Sequence, residues 1–155
     1  MWFQWPLYLL AAWLLAFPLS AVRASQAGDE VTPAVEQLFA QAKAANQRGD
    51  AATAIEKYRA MIKLAPHLAA AYNNLGMLYF NEHDYSRAAE VLKRGLDLNP
   101  NMPTAAAMLG MSYFQLGEDE KAEPALRVAL RANPKDDQVE MMLAHILINS
   151  RELGE

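Results

Sequence analysis

The chain has 155 residues, no cysteine, and 14 Lys/Arg against 18 Asp/Glu, for a formal net charge of −4. That length accommodates one domain plus a leader, and the absence of cysteine excludes disulfides, thiolate catalysis and Cys-based metal sites. An acidic chain without a Lys/Arg cluster lacks the charge needed to displace counterions from a phosphate backbone, so no nucleic-acid partner is expected.

Residues 1–22 carry no charged side chain; Leu7 to Phe17 is an unbroken apolar run, Pro18 ends it, and Ser20, Ala21, Ala24, Ser25 and Ala27 follow. This is the order of a secretory signal peptide cleaved after Ala24 or Ala27, although Met1 to Pro6 contains no Lys or Arg. The same stretch also reads as an uncleaved anchor. Trp2 to Val22 would be about 31 Å long as a helix, enough to cross a bilayer, with Trp2 and Trp5 suited to its interface. Residues 1–24 are therefore a signal peptide or a membrane anchor. The first reading makes the rest of the chain exported, periplasmic or secreted; the second gives it a membrane tether through residues 2–22. Residues 25–32 are a polar linker.

From residue 33 onward apolar residues recur at spacings of three and four and never alternate with period two, which predicts helices throughout. Thr32-Pro33 reads as an N-cap followed by proline at the first helical position. Arg48-Gly49-Asp50, Glu82-His83-Asp84 and Gly117-Glu118-Asp119 each end one helix and cap the next through the aspartate. Pro66, Pro100 and Pro134 mark longer breaks. The pairs predicted are about 33–47 with 51–64, 69–81 with 85–98, and 103–116 with 120–132, followed by a single helix at about 137–150. Pro124 falls inside a predicted helix, where it removes one hydrogen bond and should bend the backbone.

These elements repeat every 34 residues. Leu75-Gly76-Met77-Leu78-Tyr79-Phe80 returns as Leu109-Gly110-Met111-Ser112-Tyr113-Phe114, and Ala54, Ala88 and Ala122 keep the same step, as do Pro66, Pro100 and Pro134. Such a period signals stacked repeats. The second unit carries Tyr72, Leu75, Gly76, Tyr79, Ala88, Leu92 and Pro100; the third has Ala106, Leu109, Gly110, Tyr113, Ala122, Leu126 and Pro134. On these residues the chain resembles the tetratricopeptide repeat family, with its W-x2-L-G-x2-Y, A-x3-F and P positions. The resemblance implies an all-α, right-handed α-solenoid of antiparallel helix pairs over 33–150. Its units are 35–68, 69–102 and 103–136, with a half unit at 137–150 and a tail at 151–155. Gly76, Gly110, Ala88 and Ala122 are expected where paired helices cross.

In this family the first helices line a concave face, so the resemblance implies a groove paved by one stripe per unit. The stripe selects Phe39, Lys43 and Asn46; Asn73, Met77 and Phe80; Ala107, Met111 and Phe114; and Met141, His145 and Ile148. Two readings of it stand: a partner groove, or core at the seams between units. As a groove it suits a protein or peptide with an apolar helix or extended segment, because methionine adapts to irregular surfaces. Some family members clamp a C-terminal carboxylate with basic residues; here Phe39, Thr104 and Met108 stand in those places, and only Asn74 matches. The apolar last helix adds the alternative of a homodimer.

Nothing in the sequence points to catalysis, metal or cofactor. His67, His83 and His145 lie in different units, and Glu118, Asp119, Glu120 and Glu123 open a helix, where negative charge is favoured. The function expected is an exported interaction adaptor assisting assembly of an envelope complex, or else a structural subunit that self-associates through its last helix.

Overall fold

The computed structural model describes residues 31–152. The segment read as signal or anchor lies outside the described residues. Seven helices and no strand make up the described chain: α1 Pro33–Gln47, α2 Ala51–Leu64, α3 Ala69–Asn81, α4 Tyr85–Leu98, α5 Pro103–Gln115, α6 Asp119–Ala132 and α7 Asp137–Glu152. The last of these continues past 150 into the stretch read as tail. Among the described residues no helix is long and apolar enough to cross a membrane.

Local chemistry sets the ends of these helices. Thr32 accepts from the Val35 N–H at 3.4 Å with Pro33 in the first turn. Asp50 Oδ1 accepts from Thr53 N, and Asp84 Oδ1 from Arg87 N, each at 3.0 Å. These bonds satisfy N–H groups that have no partner in their own helix. The third short turn departs from the expectation. Asp119 is already the first residue of α6, the N-cap is Glu118, and no side chain caps this helix. The register follows from Gly117, whose φ of +73° matches the +76° of Gly49 and places Glu118 in the slot held elsewhere by Asp50 and Asp84. In the middle turn His83 takes the same left-handed conformation at φ +60°.

Within each pair the helices cross at their smallest residues. A β-carbon on Gly110 would lie 2.7 Å from Leu126 Cδ2 and 3.0 Å from the Leu126 backbone nitrogen. Ala88 and Ala122 are fully buried, as are Leu92 and Leu126, which close over the glycines. Cationic side chains cover the repeated tyrosines: Arg87 sits 4.7 Å from the Tyr79 ring centroid, and Lys121 sits 5.6 Å from that of Tyr113.

Each helix packs on the next in sequence. In addition α3 approaches α5, and α5 approaches α7, whereas the second helices α2, α4 and α6 do not approach one another. From α3 onward the row of first helices is thus the inner side of a curved stack. The core is serial rather than central. One buried cluster runs from Val35 to Leu109, and another from Ala122 to Ile146; Met111 and Tyr113 pack against both. Units that share their apolar faces in this way depend on their neighbours for stability. Pro124 leaves α6 one continuous helix from Asp119 to Ala132.

Candidate partner groove

The inner row carries the stripe identified from the repeat. None of its twelve residues is fully buried. Lys43, Asn46 and His145 are exposed, and so are the apolar Phe39 (42%), Met141 (67%) and Ile148 (58%). The central members Asn73, Met77, Phe80, Ala107, Met111 and Phe114 are half-buried. Met77, Phe80 and Met111 rest against the first core cluster; Ala107, Met111 and Phe114 rest against the second. The two readings of the stripe therefore meet in the same side chains. The apolar members among them pack partly on the core and stay partly exposed.

Three aromatic contacts organise this surface. Phe114 on α5 meets His145 on α7 edge to face, with ring centroids 5.5 Å apart. Two residues predicted to share the groove are thus brought together across a unit boundary. Phe39 packs on Tyr58 of α2 at 6.4 Å, anchoring the first unit's stripe to its own partner helix. Phe80 packs on Tyr85 at 5.5 Å. The sequence reading did not include Tyr85, although it directly follows the capping Asp84 and so starts a helix beside the end of the stripe. Tyr85 in turn carries His83, whose Nδ1 lies 2.8 Å from its hydroxyl.

Polar groups on the stripe are few. The Asn73 amide oxygen is buried and has no hydrogen-bond partner. Met108, in one of the places a carboxylate clamp would need a base, is buried at 7% exposure, and Phe39 and Thr104 hold two others. Burial raises the pKa of Tyr58 beneath Phe39. Among the described residues no three His, Asp or Glu side chains stand close enough to hold a metal ion.

Antiparallel pairs stacked in series, with glycine at the crossings of the second and third pairs, define an all-α repeat solenoid. Residues 79–146 match the family model described as tetratricopeptide repeat, which agrees with the stacked helix pairs of the fold. No characterised protein sequence matches the chain significantly. Among solved structures it is similar to an O-GlcNAc transferase mutant from Thermobaculum terrenum, at 24% identity and a TM-score of 0.62 over 74% of this chain. It spans only 22% of that transferase. It is also similar to residues 41 to the end of MamA from Desulfovibrio magneticus (19% identity, TM-score 0.72, 81% of this chain and 71% of that one). A third similar structure is the second tetratricopeptide domain of human RPAP3 in complex with an HSP70 peptide (21%, 0.66, 73% and 94%). At these identities the likeness is one of fold.

Proposed function

We propose that this protein is an exported adaptor whose concave face holds an apolar helix or extended segment of another protein, assisting assembly of an envelope complex. The observation that carries the reading is the apolar stripe on the inner row, with Phe39, Met141 and Ile148 exposed and Met77 and Met111 half-buried between them. A stack that needed these residues only as core would have covered them. Methionines conform to guests of uneven shape. The fold is compatible with such a role, since the RPAP3 domain holds a peptide. The guest differs in kind, because Phe39, Thr104 and Met108 leave no basic clamp for an acidic tail. Export rests on the charge-free residues 1–22, which read as a signal peptide or a membrane anchor.

The test is the double variant Met77→Glu/Met111→Glu, with partner capture from an envelope fraction and a circular-dichroism melt measured on the same protein. Capture lost with the melt preserved supports the groove; a collapsed melt assigns both methionines to the core.

The exposure of Met141 and Ile148 favours a second reading, self-association through α7. Sedimentation velocity across a concentration series tests it. A monomer at every concentration rules it out.

A further inference from the structure

The second unit fills its outer side with an aromatic ring. The Tyr72 hydroxyl donates to the Pro66 carbonyl at 3.0 Å, and the Tyr72 β-carbon lies against Gly95. One repeat later the corresponding residues are Ala106 and Pro100. There the stack opens a cleft of about 760 Å³. It borders the half-buried Tyr113 and the buried Ala106 and Leu109 of α5, and its walls are α4 with Pro100 on one side and α6 on the other.

Three exchanges between the units produce this opening. Tyr72 gives way to Ala106, Glu90 to Pro124 and Arg94 to Val128, and all three replacements line the cleft. Each removes a ring or a charge. Pro124 also has no N–H to give the Glu120 carbonyl, and Glu120 borders the same cleft. The site thus combines apolar walls with backbone carbonyls that can accept a hydrogen bond, in a volume typical of small-ligand sites. An indole or phenol ring with its single polar hydrogen matches that combination. On the rim, Lys93 is held by Asp97 at 3.1 Å and Lys121 by Glu118 at 2.8 Å. Glu120 has no ion-pair partner among the described residues. A cation beside the ring would complement it.

We propose that this cleft is a second docking site, on the outer side of the stack, which receives a Trp or Tyr side chain flanked by a basic residue on a partner polypeptide. The ring takes the place that Tyr72 fills from within the chain one unit earlier. The site is independent of the concave groove, because Ala107, Met111 and Phe114 lie on another face of α5.

Saturation-transfer NMR on the full chain tests it, with N-acetyl-Trp-Lys-amide, N-acetyl-Trp-Glu-amide and N-acetyl-Leu-Lys-amide as probes. Saturation of the indole protons is expected, stronger for Trp-Lys than for Trp-Glu and absent for the leucine probe. Ala106→Tyr should fill the slot from within, lower the indole signal about fivefold or more and raise the melting temperature. Val128→Arg, on the partly exposed wall, should weaken the signal without altering α5, and Met77→Glu should leave it unchanged. An indole signal that survives both cleft variants, a leucine probe that binds as well, or a lower melting temperature for Ala106→Tyr overturns the proposal.

Discussion

Leu92 closes directly over Gly76: a β-carbon on the glycine would stand 2.6 Å from Leu92 Cδ2 and 3.2 Å from Val91 Cγ2. Leu92 is wholly buried. Gly76→Ala is therefore expected to destabilise the stack by about 1–3 kcal/mol through overpacking, although alanine is the better helix former. Urea denaturation of the variant beside the parent measures it, and a variant as stable as the parent would show that the crossing can relax.

His83 occupies at φ +60° the turn position that Gly49 and Gly117 occupy elsewhere. A side chain in the left-handed region costs about 1–2 kcal/mol, and glycine returns part of that through its freer unfolded chain. The net expectation for His83→Gly is a gain of about 0.5–1 kcal/mol. A thermal melt reads the sign. A loss instead would mean that the His83 contact with the Tyr85 hydroxyl outweighs the backbone strain.

Glu118 stands where Asp50 and Asp84 cap their helices, yet it makes no cap bond, and its carboxylate holds Lys121 at 2.8 Å instead. The extra methylene carries the oxygens away from the free N–H groups. Glu118→Asp should stabilise the protein by about 0.5–1 kcal/mol by creating that cap, since the exposed pair it gives up contributes little. Chemical denaturation should show a higher midpoint with an unchanged slope.

Acid should weaken the caps. The Asp50 carboxyl lies below its ordinary value of 3.8 because the Thr53 side chain and backbone N–H donate to it. The Asp84 carboxyl is lowered by the Arg87 side chain and backbone. A depressed folded-state value means the stabilisation is complete above 3.8 and is lost as pH falls through the lower folded value. Asparagine caps nearly as well and does not titrate. The double variant Asp50→Asn/Asp84→Asn should therefore lose less of its melting temperature than the parent between about pH 5 and pH 2. Parallel pH profiles would count against the caps as titrating elements.

Much of the architecture was legible because repeat chemistry is local. Asp50 and Asp84 cap through bonds spanning three residues, Thr32 and Pro33 open α1 in the same way, and the glycines of the crossings recur at one step. The third turn was misread by one residue because Gly117-Glu118-Asp119 offers two acids, and only the left-handed glycine shows which of them stands at the cap. Pro124 was visible as an irregularity, but its meaning was not.

The sequence by itself determined the helix pairs, their order and their 34-residue step, because backbone capping, helical periodicity and small residues at crossings act over a few residues or recur with the repeat. Only the tertiary structure decided which side of the Met77–Met111 stripe is covered, that Phe114 meets His145, and that Ala106 leaves an opening between α4 and α6. Those outcomes depend on how far neighbouring units approach one another, and that distance is set by side chains a whole repeat apart.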